Sequence, residues 1–301
     1  MTERQGLARM SDAAHIHWRV QGDRAGQAQG DQAPQAQGDR APQPPVVLLH
    51  GGPGLPDYLG PVATSIADLA PVYRYDQRGT GRSPWQGRHT LARHVADLAE
   101  LLDAWSAPSA VLIGHSYGTD LASRFCLAHP GRVAAMLLMC GPFVGDWRTD
   151  YRAARAHRMT PAQRERLSVL QQEPHRTEAQ EVELLTLSWF TDHADPDRGW
   201  PWAAHGARLR RPVNWAMNRE LGEAGRADPL DLHVDALRGC LPTRAELLGG
   251  ALDPRPLSAL ESLALRLDVP LTRVAGAGHE PWLEQPEVVR GVLRGFVRGR
   301  G

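Results

Sequence analysis

The chain is expected to fold as an α/β protein with a mostly parallel, doubly wound sheet into which a helical segment is inserted. Three observations predict this. Short apolar runs alternate with amphipathic stretches from Val46 to Cys140, the alternation resumes from Thr243 to Arg298, and between Phe143 and Ala236 strand signals give way to helix signals alone. The expected division is therefore a core of residues 1–142 and 237–301 with a helical unit of residues 143–236.

Taken in order, Met1 to Met10 is polar and charged, and His15 to Gln21 alternates as a short edge strand does. Residues 22–45 then lose all periodicity. Gln21-Gly22-Asp23, Gln29-Gly30-Asp31 and Gln37-Gly38-Asp39 recur every eight residues among Ala, Gln and Pro. Such a composition offers too little apolar surface to offset the entropy of ordering, so a mobile surface loop acting as a spacer is expected. Val46 to His50 reads as a buried strand, Asp57 to Leu69 as a helix with Leu59, Val62, Ile66 and Leu69 on one face, and Val72 to Asp76 as the next strand. Leu91 to Trp105 is an amphipathic helix, Ala110 to Gly114 a strand, Gly118 to His129 a helix stopped by Pro130 and Gly131, and Val133 to Cys140 a strand. In the inserted segment Thr160-Pro161-Ala162-Gln163 and Thr177-Glu178-Ala179-Gln180 have the form of capping boxes. Thr243 to Leu248 is a strand, Leu257 to Leu267 a helix, Leu271 to Ala275 a strand, and a closing helix starts at Pro286 with Val288, Val289, Val292, Leu293 and Phe296 on its apolar face.

Composition narrows the functional classes. At 301 residues and 42% hydrophobic the chain can bury a large core. Formal net charge is zero with basic residues scattered, which argues against a nucleic-acid footprint or a polybasic membrane anchor and points to a small-molecule or short-peptide ligand. No apolar run is long enough to cross a bilayer, and no export signal is read at the N-terminus. Cys126, Cys140 and Cys240 are widely spaced without a C-x-x-C pair, so neither a zinc site nor a disulfide framework is expected, and a reducing, cytoplasmic setting fits. No metal or cofactor motif is found. His15 and His17 share a strand face without a third ligand nearby, and the G-x-G within Asp76 to Ser83 breaks at Pro84 with no lysine to reach a phosphate. That stretch reads instead as a turn held by Asp76 and Arg78.

The chemistry-bearing residues lie just past predicted strands, where an open parallel sheet gathers its functional groups. Gly114-His115-Ser116-Tyr117-Gly118 joins a strand to a helix. A sharp turn there would lift the Ser116 hydroxyl out of the chain and leave no room for side chains two positions away, where glycines stand. Asp253 follows Gly249 and Gly250, and His279 follows Gly276-Ala277-Gly278 after the last strand. An imidazole can take a serine proton and return it to a leaving group, while a carboxylate fixes its tautomer. Ser116, His279 and Asp253 are thus expected to act as nucleophile, base and orienting acid. The Gly-rich loop His50-Gly51-Gly52-Pro53-Gly54 could turn amides inward, so the N–H groups of Gly52 and Tyr117 are the candidate oxyanion hole.

Taken together, HGGPG at 50–54, DQRGTGRS at 76–83, GHSYG at 114–118, Asp253 and GHEPWLEQP at 278–286 resemble the α/β-hydrolase superfamily. The first two motifs are most similar to the proline iminopeptidase branch, although His115 and Tyr117 flank the serine where that branch usually carries glycine and tryptophan. The resemblance implies an α/β-hydrolase fold, the triad and oxyanion hole at the positions already named, and a helical cap over the pocket. It implies an aminopeptidase releasing N-terminal proline or another residue, with a carboxylesterase or related acyl hydrolase as the alternative and a ligand-binding receptor as a third reading. Peptidase action needs a cap carboxylate for the substrate's amino group. Glu220 is the candidate, with Glu181 and Glu183 behind it. Trp189, Phe190, Trp200, Trp202 and Trp215 could wall an apolar pocket or form the cap's own core.

Overall fold

A computed structural model describes residues 3–22 and 43–299. The repeat between Gly22 and Pro45 falls almost entirely outside them. Eight strands form one sheet: β1 (Glu3–Arg9), β2 (His15–Gln21), β3 (Val46–Leu49), β4 (Val72–Tyr75), β5 (Ala110–His115), β6 (Val133–Met139), β7 (Ala245–Gly250) and β8 (Leu271–Val274). Their spatial order is β1-β2-β4-β3-β5-β6-β7-β8, antiparallel through the first three and parallel from β4 to β8. The helices between them are α1 (Gly60–Ile66), α2 (Leu91–Ala104), α3 (Tyr117–Ala128), α4 (Trp147–His157), α5 (Pro161–Gln172), α6 (Glu178–Trp189), α7 (Pro196–Leu209), α8 (Trp215–Ala227), α9 (Val234–Cys240), α10 (Leu257–Leu267), α11 (Pro281–Glu284) and α12 (Pro286–Arg298).

The central strands are continuous apolar runs because both faces of the sheet are covered. Val47, Leu49 and Leu112 point into a layer with α2, α3 and α10, while Val46, Leu48, Val111 and Ile113 point into the opposite layer with α1 and α12. Successive residues therefore feed two separate cores, as the two-residue period of a strand requires. The chain leaves β3 for β4 on one side and returns through β5 on the other, so β3 and β5 lie side by side with Leu49 opposite Gly114. At that reversal the loops after β3 and β5 open away from each other and leave a crevice.

The structure moves several expected boundaries, each for a local reason. Met1 to Met10 contains strand β1, which pairs with β2 along its whole length, so His15 to Gln21 is not the edge. In β1 only Ala8 is buried, because an edge strand contributes main-chain hydrogen bonds more than side-chain burial. Helix α1 begins at Gly60, not Asp57. The Asp57 carboxylate accepts from the Leu59 amide at 3.0 Å, its own amide donates to Asp76 Oδ1 at 2.9 Å, and Pro61 sits in the first turn. β7 starts at Ala245 and runs to Gly250, two residues past the expected end. Asp76 does organise its turn, accepting from the Arg82 amide at 3.1 Å, but Arg78 leaves it to form a buried pair with Asp97 at 2.6 Å. Both capping boxes form, at Thr160 and Thr177.

Between β6 and β7 the described chain adds no strand. Helices α5 to α7 carry a small core of their own, in which Met159, Leu167, Leu170, Leu184, Leu187, Phe190 and Ala203 pack together beside Trp189. The three cysteines are free thiols, with Cys126 Sγ 3.9 Å from Cys240 Sγ. Among the described residues no helix is long and apolar enough to cross a membrane.

Candidate active site

β5 ends at His115 and α3 begins at Tyr117, so Ser116 alone makes the turn, with φ 55° and ψ −121°. A non-glycine residue held there stores on the order of 1–3 kcal/mol of strain. It is pinned from both sides: its amide donates to Met139 O at 3.0 Å, and its carbonyl accepts from the Thr119 amide at 2.9 Å. A Cβ at position 114 would stand 2.5 Å from the Gly118 carbonyl oxygen, and one at 118 would run into Leu49 O. The two glycines are thus required by contact between β3, β5 and α3, as the sequence argument expected.

Three residues from distant parts of the chain meet here. His279 Nε2 lies 3.0 Å from Ser116 Oγ, and His279 Nδ1 lies 2.6 Å from Asp253 Oδ2. The carboxylate accepts only, so the ring proton sits on Nδ1 and Nε2 is left to accept from the serine hydroxyl. Asp253 is buried, which by itself would raise its carboxyl. The neighbouring His279 and Arg255 outweigh this and hold it below the ordinary value, so it stays ionised. Its Oδ1 accepts from the Arg255 amide at 2.9 Å. Arg255 also bridges to Asp192 at 3.1 Å, and the Asp192 carbonyl accepts from the His279 amide at 2.7 Å. One residue of the inserted segment therefore grips both the loop carrying Asp253 and the loop carrying His279.

A second network, absent from the sequence reading, reaches the same histidine from behind. The Gly51 amide donates to Tyr58 OH at 2.9 Å, Tyr58 OH lies 2.6 Å from His115 Nδ1, and His115 Nε2 lies 2.8 Å from the His279 carbonyl oxygen. A carbonyl can only accept, so His115 carries its proton on Nε2 and takes the Tyr58 proton's hydrogen bond on Nδ1. Burial pushes His115 down to about 3, which keeps this neutral tautomer in place. Arg210 at the end of α7 pairs with Glu280 and lies 4.2 Å from the Tyr58 ring centroid. Burial alone would raise Glu280, but Arg210 holds it down at about 2. The ligand atoms of His115, Cys140 and His279 fall within 4.8 Å of one another, yet both nitrogens of each ring are already used in these hydrogen bonds.

Two cavities meet at Ser116. One of about 70 Å³ lies on the His279 side against Trp189, Trp202, Ala203 and Gly206. The other, about 890 Å³, extends under α4, α6 and α8. Gly52 lines both, at φ +133°, and Tyr117 lines the larger one at the start of α3. Trp189 faces both cavities, while Trp215 lines the larger one and donates from Nε1 to Glu181 at 2.8 Å. Phe190 belongs to the small core, and Trp200 packs on it.

The structure does not bring Glu220 to the site. Its carboxylate accepts from the His89 amide at 2.7 Å and lines neither cavity, because that face of α8 closes on the loop before α2. Glu181 is taken by Arg176 and Glu183 by Arg166. The carboxylates that do line the walls were missed. Glu280 adjoins His279 in sequence and was legible as a neighbour, whereas nothing in its surroundings marked Asp192. His17 is buried 3.4 Å from Asp76, and His15 is exposed.

Comparison with known proteins agrees with this architecture. Residues 44–224, more than half of the chain, match the family model described as the alpha/beta hydrolase fold. A Variovorax paradoxus protein bearing the name carbamate hydrolase RutD is 29% identical over 75% of this chain and 80% of its own length. A proline iminopeptidase of Heyndrickxia coagulans is 38% identical, but over only 31% of this chain and 33% of the relative. Among solved structures, a thermophilic esterase from Thermogutta terrifontis superposes with a TM-score of 0.71 at 19% identity, covering 99% of both chains. The shared fold and the match to the family model establish that this chain belongs to the α/β-hydrolase family.

Proposed function

We propose that the chain is a serine hydrolase working through an acyl-enzyme, with Ser116 as nucleophile, His279 as general base and acid, and Asp253 as the orienting carboxylate. The observation that carries this is the pair of contacts on one imidazole, 3.0 Å to Ser116 Oγ and 2.6 Å to Asp253. Attack of Oγ on an acyl carbon passes the hydroxyl proton to His279 Nε2, and the imidazolium then delivers it to the departing alcohol or amine. Water repeats the sequence: it loses a proton to Nε2, attacks the acyl carbon, and Oγ leaves with that proton. The amides of Gly52 and Tyr117 are the donors for the oxyanion, a role worth about a hundredfold or more in rate per donor.

An ester or related acyl substrate is favoured over a peptide with a free amino terminus. Holding an ammonium needs an uncommitted carboxylate, and each acid in the cavity walls already faces an arginine: Asp120 with Arg124, Asp192 with Arg255, Asp231 with Arg266, and Glu280 with Arg210. The aminopeptidase reading is kept as second because of the likeness of part of the chain to a proline iminopeptidase. Short-chain p-nitrophenyl esters and prolyl-arylamide, compared on one preparation, separate the two. A burst on the ester, abolished in Ser116→Ala, is expected. Preference for the arylamide would reverse the order, full activity in Ser116→Ala would end the mechanism, and absence of turnover on every acyl substrate would favour the receptor reading.

A further inference from the structure

The larger cavity carries unbalanced charge. Its three acids, Asp120, Asp192 and Asp231, each have an arginine partner, and its Arg176 and Arg255 are matched by Glu181 and Asp192. Four more arginines line the same space: Arg148, Arg155, Arg219 and Arg226. Among the described residues none of these four has a carboxylate within ion-pair distance. Arg155 is anchored by hydrogen bonds to Thr191 Oγ1 and Ser188 O. Arg148 lies 4.6 Å from the Trp147 ring centroid, where burial and then the like charges of Arg226 and Arg152 push it below an ordinary guanidinium. Arg148 on α4 and Arg226 on α8 therefore repel one another, and both line a space that also contains Ser116. A cavity lined by one sign of charge focuses the field and gathers counter-ions, and the planar fork of arginine matches a carboxylate or a phosphate.

We infer that the larger compartment receives an anionic end of the substrate, a carboxylate or phosphate several atoms from the scissile acyl bond, held by Arg148 and Arg226 with Arg155 and Arg219 adding to the field. The inference rests on the serine-hydrolase reading for its kinetic test. It makes the substrate class an acidic ester or thioester, and it places the smaller, aromatic compartment on the uncharged side of the scissile bond. A free ammonium would meet repulsion in the larger compartment.

The test uses pairs differing only in charge. The half-ester p-nitrophenyl hydrogen glutarate is compared with its methyl ester, and 4-carboxyphenyl butyrate with the corresponding methyl benzoate, so that the anion is carried once on the acyl side and once on the leaving group. At low ionic strength at least one acid is expected to exceed its methyl ester about tenfold in kcat/KM, an advantage that shrinks as salt screens it. In Arg148→Gln/Arg226→Gln that ratio is expected to fall to near one, whereas Arg290→Gln, at an exposed position of α12, keeps it. A ratio taken on one preparation is independent of how much of the variant folds. Glutarate and inorganic phosphate as competitors identify which anion is preferred. Equal turnover of acid and methyl ester in both pairs, or a ratio untouched by the double variant, overturns the inference. If neither ester turns over and a fluorophosphonate fails to label Ser116, the hydrolase reading fails instead. Binding then decides: saturable quenching of tryptophan fluorescence by glutarate or phosphate, lost in the double variant, supports the anion site, and its absence overturns it.

Discussion

Replacing His115 by leucine tests whether the network behind the site positions His279. The wild-type ring makes two hydrogen bonds, at 2.6 Å with Tyr58 OH and 2.8 Å with the His279 carbonyl, and it is buried. Leucine fills most of the volume and supplies neither bond. The His279 carbonyl then loses its donor and the Tyr58 hydroxyl loses its acceptor. A buried polar group left unsatisfied costs roughly 1–3 kcal/mol, so the pair should cost about 2–6 kcal/mol. For a chain of this size that corresponds to a melting point lower by about 3–10 °C. His279 keeps its bonds to Asp253 and to the Asp192 carbonyl, so the histidine shifts without being released. We expect kcat on a p-nitrophenyl ester to fall about 10–100-fold, as small misplacements do, with KM nearly unchanged. Tyr58→Phe, which removes the links to His115 and to the Gly51 amide but leaves the His115 bond to the His279 carbonyl, should give the same pattern in kcat with a smaller loss. Measurement is by thermal melts and by steady-state rates normalised to active sites titrated with a fluorophosphonate. A leucine variant that melts within about a degree of wild type and retains kcat within twofold would refute the positioning argument.

Three further outcomes follow from burial and contact. His94 and His115 are each pushed down to about 3, chiefly by burial, so between pH 6.5 and 3 they are neutral when folded and protonated when unfolded. The unfolded state binds the extra protons, and stability should fall as pH drops by about 1.4 kcal/mol per pH unit for each histidine. Urea midpoints at pH 7, 6 and 5 measure this slope; His94→Asn should flatten it, and identical midpoints would contradict it. Glu280→Gln leaves the buried Arg210 guanidinium without its partner, at a cost of about 3–5 kcal/mol, and Arg210→Met in the same chain should restore much of the loss in a denaturant titration. Gly118→Ala drives a methyl group into the Leu49 carbonyl, whereas Gly131→Ala meets nothing within 4 Å. The first should lower the melting point sharply or abolish soluble expression, by roughly 1–3 kcal/mol or more, and the second should leave it within about a degree.

The residues that could be found from sequence and those that could not differ in what ties them to the site. Ser116, Asp253 and His279 each stand a few residues past a strand, and a parallel sheet brings all such positions to one rim, so reading the strands also located the three side chains. The strands themselves were visible because two cores demand an unbroken apolar run, while β1, paired on one side and half exposed, has no such demand on its side chains. Tyr58, Arg210 and Asp192 reach the site through contacts made by side chains or carbonyls of loops and helix ends, which obey no period. The same reasoning explains why Glu220 was misplaced. A glutamate on an amphipathic helix can be assigned to a helix from its neighbours, but which way α8 is rolled depends on the loop it packs against, and the His89 amide claims that carboxylate. Charge in the insertion was likewise invisible as a net count. With 34 basic and 34 acidic residues the chain sums to zero, yet among the described residues pairing consumes the acids of the large cavity and leaves four of its guanidiniums without a carboxylate, the imbalance on which the proposed anion site rests.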